Sequence, residues 1–170
     1  MADALVRPAD DTDAQTLAEL QLQAWRQAYA DLLPPAVLQA SAADLTPAWR
    51  HRLAGPGRVL LAFEGHHPVG LAAVAGTVDE AGRGEIELLL VLPRFARRGH
   101  GGRLLATAAG ALRAINASSA VWWAPESDRS VERFLAGTGW QPDGGRRVLD
   151  TGSGHLTELR YAGPVDLTVA

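Results

Sequence analysis

The stretch that decides the fold is EIELLLVLPRFARRGHGGRLLATAAGALRAI, residues 85–115. It predicts an apolar strand over 85–92, a proline, a loop rich in arginine and glycine, and a helix whose apolar residues recur at helical spacing. Gly99, Gly101 and Gly102 therefore fall at the start of that helix, where backbone N–H groups are unpaired and the positive dipole end lies. Glycine also lets a ligand approach the backbone closely. With four arginines around it (Arg94, Arg97, Arg98 and Arg103), the loop is typical of a site for a polyanion such as a pyrophosphate.

A second interpretation of the same loop is plainer. Glycines between a strand and a helix also serve as simple turn residues, and arginines there also form a solvated rim. Two other phosphate motifs are excluded by the letters. No Gly-Lys-Ser/Thr follows, so the loop is not a P-loop, and the third spaced glycine of the dinucleotide fingerprint is missing.

Composition limits the possible classes. A chain of 170 residues with 47% hydrophobic and 21% charged residues is typical of one soluble globular domain. The net charge of −3 argues against nucleic acid or an anionic membrane as a partner. No cysteine is present, which excludes disulfides, thiolate metal sites and a cysteine nucleophile. We see neither a signal peptide nor an apolar run near the roughly 18 residues of a membrane span, so a cytoplasmic location is the default expectation.

The rest of the chain predicts an α+β (mixed α/β) domain in the order β-helices-βββ-α-β-α-ββ. Strands are predicted at 4–7, 59–64, 69–77, 85–92, 120–124, from Trp140, and at 155–162, with turns at 65–68, 80–84 and 143–145. Thr46-Pro47 is expected to begin a helix through Leu53, and Ser127 or Asp128 to cap a later one. The strand–helix–strand unit over 85–124 requires a right-handed crossover, hence one parallel pair in a mostly antiparallel sheet of about seven strands. We expect one domain over 1–163 and a short tail over 164–170.

A family resemblance adds to this interpretation. Val91-Leu92-Pro93 followed by Arg97-Arg98-Gly99-His100-Gly101-Gly102 resembles the signature of the GNAT superfamily, the acetyl-CoA-dependent N-acetyltransferases, which is V-x-P, a short spacer, Q/R-x-x-G-x-G/A and a helix. Trp25-Arg26-Gln27-Ala28-Tyr29, Gly139-Trp140 and Glu158-Leu159-Arg160-Tyr161 resemble the W-R-x-A-Y, G-W and E-x-R-Y of one bacterial branch. One departure stands in the loop, where Ala96 replaces the usual Gln or Arg.

The resemblance implies a single GNAT domain, with helices on both faces of the sheet and acetyl-CoA held where the parallel strands splay apart. Backbone groups of Leu89, Leu90 and Val91 would then bind the pantetheine arm. The loop residues Arg97, Arg98, Gly99, His100, Gly101 and Gly102 would bind the diphosphate, mainly through their amides, with the His100 side chain solvated. Asp128 occupies the family's usual Asn position, which contacts the pantetheine arm or CoA; a helix cap explains it equally well.

Acetyl transfer also needs a base for the amine and a proton donor for the departing thiolate, and each need points to further residues. A free alkylamine is protonated at neutral pH, so a base is needed. Glu87 is the first candidate and Glu85 the second, because regular alternation places both on one strand face with Leu89 and Val91. The family often has a tyrosine as general acid where this chain has Leu135. Substitutes for it are Ser127, Ser130 and Tyr161, or water.

The leading hypothesis is an N-acetyltransferase that moves acetyl from acetyl-CoA to a primary amine by direct attack in a ternary complex. The alternatives are an acyl-CoA-binding sensor with little or no turnover, and a nucleotide-binding module that uses the same loop. The acceptor stays open between small-molecule amines and peptide or protein amines, although Asp79, Glu80, Glu85 and Glu87 hint at a cationic one. The sequence does not determine the oligomeric state; family members often pair, which leaves a homodimer open.

Overall fold

The computed structural model describes residues 3–167 of the chain. The strands are β1 (Ala4–Pro8), β2 (Arg58–Glu64), β3 (His67–Val78), β4 (Arg83–Val91), β5 (Ser119–Pro125), β6 (Gln141–Asp150) and β7 (His155–Gly163). The helices are α1 (Ala14–Ala28), α2 (Pro35–Leu38), α3 (Ala42–Leu53), α4 (His100–Ala114) and α5 (Arg129–Leu135), and short 3-10 turns cover Asp11–Asp13 and Pro93–Phe95. The predicted order of strands and helices is confirmed.

The seven strands form one sheet in the order β1-β2-β3-β4-β5-β7-β6. Every neighbouring pair is antiparallel except β4 and β5, which run parallel. That parallel pair is joined only from Arg83↔Ser119 to Ile86↔Trp122. Beyond Ile86 the two strands are no longer hydrogen-bonded to each other, so the sheet opens there into a cleft. The predicted fold class, including the splayed parallel pair, is confirmed.

Each face of the sheet carries its own apolar core. On one face α4 packs on β2, β3 and β4, and its buried Leu104, Leu105 and Leu112 belong to the same cluster as Ile86 and Trp122. On the other face α1 packs against β3 and β4, α3 packs against β2, and the two helices pack against each other; their buried side chains include Leu17, Leu20 and Trp49. The sheet is therefore covered on both sides, and the cleft between β4 and β5 lies between the two layers.

The start of α3 corrects one prediction. Thr46-Pro47 does not begin the helix; Ser41 does, through a capping box with Asp44, and Pro47 lies inside. Ser41 and Asp44 satisfy two amide groups reciprocally, which fixes the helix start more strongly than a Thr-Pro pair does. Pro47 leaves the Ala43 carbonyl without its helical partner, while the Thr46 hydroxyl donates to the Ala42 carbonyl at 2.7 Å.

The end of the sheet corrects a second prediction. Asp143-Gly144-Gly145 is not a turn between strands but a bulge within β6, where the pairing with β7 shifts between Pro142 and Arg146. The Asp143 carboxylate accepts from the Gly145 amide at 2.9 Å and from Arg160 at 2.8 Å, so a local Asx-type bond forms inside the strand. The hairpin turn itself lies at 151–154.

The domain boundary at 163 stays a prediction. Val165 is buried in the core beneath α4, and Leu167 packs against it. Residues 168–170 of the expected tail lie outside the described residues. In the described part of the chain, every helix is too short or too polar to cross a membrane.

Candidate active site

The loop before α4 presents backbone amides to the mouth of the cleft. Arg97 and Gly99 both have left-handed backbones, with φ of 63° and 84°, and α4 begins at His100 without a side-chain cap. Within residues 3–167 the amides of Arg97, Arg98 and Gly99 donate to no protein acceptor. These amides, together with those of the first helical turn, form a positively polarised end that favours an anion.

The glycines of this helix differ in what surrounds them. A Cβ at Gly102 would have no heavy atom within 4 Å, so the space beside its backbone is open. A Cβ at Gly101 would lie 3.0 Å from the Phe134 ring, so that glycine lets α5 approach α4. Gly99 is needed for its positive φ. Of these three glycines, Gly102 is therefore the one whose surroundings suit close approach of a ligand.

Glu64 at the end of β2 anchors this loop. Its carboxylate lies 2.9 Å from Nε2 of His100 and 2.7 Å from Nη1 of Arg98. The hydrogen bond to His100 lowers the pKa of Glu64; partial burial opposes this shift and Arg98 adds to it. The expectation of a solvated His100 side chain is wrong, because His100 is 2% exposed and packs edge-on against Phe95. A carboxylate at an anion site opposes binding, so this one has a structural effect: it fixes the first residue of α4.

The unpaired edge of β4 lines the cleft. Leu89, Leu90 and Val91 pair with β3 on one side, and on the other side β5 has already separated from them. Their backbone groups that point away from β3 are thus available to an extended ligand. This placement is what their predicted role in binding pantetheine requires.

A bulge in β4 corrects the predicted faces of this strand. Ala73 pairs with Leu88 and Val74 with Ile86, so Glu87 is an extra residue. The alternation is therefore interrupted at Glu87: Ile86 and Leu89, three residues apart, both lie in the core under α4. Glu87 instead reaches Arg52 of α3 on the opposite face. The prediction that Glu85 and Glu87 share a face with Leu89 and Val91 is wrong, because one inserted residue reverses the side-chain direction after it.

The two candidate bases differ in their surroundings. Glu87 is exposed, and its carboxylate is paired with the Arg52 guanidinium. Glu85 is half-buried and accepts no protein hydrogen bond within residues 3–167. Burial raises the pKa of Glu85, Arg147 opposes this shift, and the charges of Glu87 and Glu158 add to it. Glu85 has the properties of a carboxylate that takes up a proton readily.

Tyr29, at the end of α1, connects that helix to the start of α5. Its hydroxyl donates to Oδ2 of Asp128 at 2.8 Å, across 99 positions of sequence. Burial raises the pKa of the Tyr29 phenol, and the charge and hydrogen bond of Asp128 raise it further, so the phenol stays a donor. Asp128 also caps α5 through the Ser130 amide at 3.0 Å. The predicted cap is thus present, and the predicted contact of Asp128 with a cofactor stays a prediction.

The position of the family's usual general acid is not in the cleft. Leu135 is 1% exposed and belongs to the core under α4. Of the three substitutes, Tyr161 is buried in the same core, and the Ser130 hydroxyl donates to Asp128. Ser127 is exposed. Ala96 is exposed too, at the end of the 3-10 turn before the loop.

The sequence profile of the Acetyltransferase (GNAT) family matches residues 16–139, which include the loop, the splayed strands and Asp128. This chain belongs to the GNAT acetyltransferase family. The family assignment predicted from the motifs is confirmed, and the chain is an acyltransferase. No curated protein sequence matches it.

Solved structures agree on the fold. The PaiA N-acetyltransferase of Thermoplasma acidophilum, in complex with coenzyme A, is 13% identical, covers 95% of this chain and 99% of its own, and has a TM-score of 0.76. The ribosomal-protein-alanine N-acetyltransferase of Brucella melitensis is 17% identical, with 94% and 99% covered and a TM-score of 0.74. YncA of Salmonella typhimurium, solved with its cofactor acetyl-CoA, is 16% identical, with 98% and 96% covered and a TM-score of 0.72. The expected cofactor agrees with these complexes.

Sequence reasoning missed the partners of the site residues. Glu64 and Arg52 belong to no motif, and they reach the site through β2 and through α3. Glu158 lies in the E-x-R-Y motif, but its position near Glu85 was not predicted. The one available signal was position: Glu64 ends an apolar strand just before a turn, so its side chain had to lie at a sheet end.

Proposed function

We propose that this protein binds acetyl-CoA in the cleft between β4 and β5 and transfers the acetyl group to a primary amine by direct attack. The observation that carries the proposal is the parting of a parallel strand pair after Ile86 beside a loop of unpaired amides. An arm that needs backbone hydrogen bonds and a diphosphate that needs amide donors fit these two neighbouring features.

The residues named from the sequence keep their proposed roles at the cofactor. Backbone groups of Leu89, Leu90 and Val91 would hold the arm and the thioester carbonyl. The amides of the loop from Arg97 to Gly102 would hold the diphosphate, aided by the guanidinium of Arg97, which is exposed. Arg98 contributes less charge, because Glu64 already pairs with it.

We assign deprotonation of the amine to Glu85, with Glu87 second, which reverses the order expected from the sequence. Glu85 lies among the last residues of β4 that pair with β5, on the face of α1 and α3, and its pKa is raised by burial. An ammonium whose pKa is near 10 needs a base within reach, directly or through one water. Glu87 is held by Arg52, so we propose that it orients the acceptor or the water rather than taking the proton.

The remaining steps involve no enzyme nucleophile. The chain has no cysteine, which favours direct attack of the amine on the thioester over a cysteine acyl-enzyme. The departing thiolate has an ordinary pKa near 8.5, so water or the exposed Ser127 suffices to protonate it. A single domain over 1–163 and a cytoplasmic location complete the proposal.

The second candidate is an acyl-CoA sensor with little turnover. It is favoured by two positions: Ala96 lacks the family's usual side chain, and Leu135 is buried where the family has a tyrosine. Both functions predict CoA binding, so binding alone does not separate them.

The deciding experiment measures release of CoA thiol from acetyl-CoA across a panel of small amines and peptide N-termini. An acetyltransferase gives amine-dependent release, and the Glu85→Gln variant should lower kcat by about 100-fold or more while the acetyl-CoA KM changes little. Glu87→Gln should mainly raise the acceptor KM. Affinity for acetyl-CoA without any amine-dependent release would establish the sensor instead, and failure to bind CoA would refute both.

A further inference from the structure

The last part of β6, residues 146–150, forms an exposed sheet edge. Among residues 3–167, β6 pairs with β7 alone, and its other side is open. Among the described residues, the large apolar side chains that stay exposed are Leu5 at 53%, Val148 at 56% and Leu149 at 38%. Two of these three are adjacent on this short segment.

The two halves of β6 differ in whether they could pair with a strand of another chain. Pro142 and the bulge at 143–145 interrupt the first half of β6. Both a proline and a bulge prevent an edge strand from pairing with another chain. Residues 146–150 have neither, and they pair with β7 in unbroken register from Arg146↔Leu159 to Asp150↔His155. The unprotected half is therefore regular enough to accept another strand.

The direction of the backbone groups follows from the neighbouring bonds. The Thr157 carbonyl accepts from the Glu126 amide at 2.9 Å, so it points toward β5 and away from β6. Val148, the partner of Thr157, is then in a non-hydrogen-bonded pair, and its own N–H and C=O point outward. By the same alternation, Arg146 and Asp150 also direct their backbone groups to the open side.

We propose that residues 146–150 pair with the same residues of a second copy of this chain, antiparallel, about a two-fold axis at Val148. Val148 would then lie opposite the partner's Val148, and Arg146 opposite the partner's Asp150. Each of the three outward-facing residues exchanges two backbone hydrogen bonds, and each arginine faces an aspartate on the same side of the sheet.

Other registers satisfy fewer groups. An axis at Arg147 places two arginines directly opposite each other, which is unfavourable. An axis at Leu149 sets Val148 against the partner's Asp150, and it moves Arg146 opposite the turn at Gly152, where no strand continues. The sequence of this segment, R-R-V-L-D, is thus self-complementary about Val148 alone.

The resulting dimer joins two seven-stranded sheets into one. An axis perpendicular to the sheet keeps both copies of α4 on the same side, so each cleft stays open beside its own loop. Five paired residues cover less than the roughly 1,200–2,000 Å² of a typical stable interface. We therefore expect a dimer that depends on protein concentration.

The first test is sedimentation velocity of the full chain over a concentration series. The wild type should show a monomer–dimer equilibrium, and Val148→Lys should raise its dissociation constant at least about tenfold, because two cations would face each other. The matched control is Leu5→Lys on the opposite edge strand, which should leave the equilibrium unchanged. Circular dichroism of each variant checks that it folds.

A charge exchange tests the register itself. Asp150→Arg should weaken the dimer, since Arg146 would then face an arginine, and adding Arg146→Asp should restore it. The absence of native cysteine allows a further check: Val148→Cys should form an intermolecular disulfide on oxidation, while Leu5→Cys should not. A chain that stays monomeric throughout, a dimer insensitive to Val148→Lys, or a charge exchange that fails to rescue would each overturn the proposal.

Discussion

The surroundings of Glu85 affect both how readily its carboxylate takes up a proton and how stable the fold is. Its pKa is raised by burial, so the folded protein binds a proton at this site more readily than the unfolded chain does. The stability contributed by the protonated group is fully present below the ordinary glutamate pKa of about 4.3 and is lost as the pH rises through the folded-state value. At neutral pH the ionised carboxylate is thus a destabilising element of the fold.

We therefore predict that Glu85→Gln is both far less active and more stable at pH 7. The neutral amide removes the cost of burying a charge, so its Tm should exceed that of the wild type by a few degrees, and the difference should vanish below about pH 4. Thermal melts at a series of pH values measure this. Glu80→Gln, in an exposed turn, is the control and should melt with the wild type; a Tm for Glu85→Gln below the wild type at pH 7 would contradict the assigned environment.

For single residues, the sequence predicted which residues belong to the candidate site better than it predicted what surrounds their side chains. It named both glutamates and Asp128, and the structure places the glutamates on β4 and Asp128 at the cap of α5, in contact with Tyr29. It could not predict that His100 is buried, because the partner that makes burial possible, Glu64, lies 36 positions away. A polar side chain in an anion loop is expected to be solvated until its acceptor is known.

The helix α4 offers a direct test of close approach by a ligand. Gly102 and Gly110 both lie in α4, and neither has a heavy atom within 4 Å of the position that a Cβ would take, so alanine fits at either site. Each substitution should stabilise the helix by roughly 0.5–1 kcal/mol. Gly102→Ala should nevertheless weaken CoA binding at least about tenfold, because its methyl group would occupy the approach to the loop. Gly110→Ala, the matched control, should bind CoA normally; calorimetry measures both, and equal affinities would place the diphosphate elsewhere.

Replacing Glu64 would change the affinity for acetyl-CoA in opposite directions through two effects, so the direction of the measured change shows which effect is larger. Long-range electrostatics alone would strengthen binding of a polyanion when Glu64→Gln removes a negative charge. Weakening of the hydrogen bond to His100 and loss of the ion pair with Arg98 would instead loosen the first residue of α4. We expect the second effect to dominate, so the acetyl-CoA KM should rise several-fold while kcat and the acceptor KM stay near the wild type.

The control for that variant is Glu80→Gln, which removes the same charge from an exposed turn before β4, at the opposite end of that strand from the loop. It should not change the acetyl-CoA KM. A Glu64→Gln variant that binds CoA more tightly would show that the carboxylate acts only through electrostatic repulsion of the ligand.

Element boundaries show where sequence reasoning loses information. The strands of the central meander and the helix α4 were predicted within a few residues, since each has a strong apolar period and clear turn residues. The bulge at Glu87 was not predicted, because an inserted residue leaves an acceptable alternating pattern on either side of it. The cap of α3 was missed for a related reason: Ser41 and Thr46 both qualify locally, and packing chooses between them.

For the whole molecule, charge pairs on different elements set the response to acid. Arg7 of β1 donates two hydrogen bonds, of 2.7 and 2.8 Å, to the Asp13 carboxylate at the entry to α1. The hydrogen bond from Arg7 lowers the pKa of Asp13, although burial opposes it. A carboxyl group with a lowered folded-state pKa stabilises the protein above its ordinary pKa, near 3.9, and this stability is lost as the pH falls through the folded-state value.

Asp13→Asn should accordingly cost about 1–2 kcal/mol at pH 7, and the cost should shrink as the pH falls below about 3. Urea unfolding at several pH values measures it. Asp11→Asn, two positions earlier and exposed, is the control and should stay within about 0.5 kcal/mol of the wild type. A cost that is the same at pH 2.5 and pH 7 would mean that packing, and not charge, accounts for it.

The overall architecture was the most predictable level. The order of strands and helices, together with the rule that a strand–helix–strand crossover is right-handed, leaves few topologies for a chain of this length. The motifs then selected one of them. What the sequence left undetermined were contacts between elements far apart in the chain, such as the hydroxyl of Tyr29 with Asp128.

The extra residue in β4 has a practical consequence for redesign. It divides one strand into two independently adjustable surfaces, with Leu89 and Val91 facing α4 and Glu85 and Glu87 facing α1 and α3. Under the proposed function, libraries that vary Arg52, Glu87 and their neighbours would explore new acceptors while Leu89 and Val91, whose backbone is proposed to hold the donor, stay unchanged. Deleting Glu87 would instead exchange the two surfaces from Leu88 onward, and the enzyme would lose both at once.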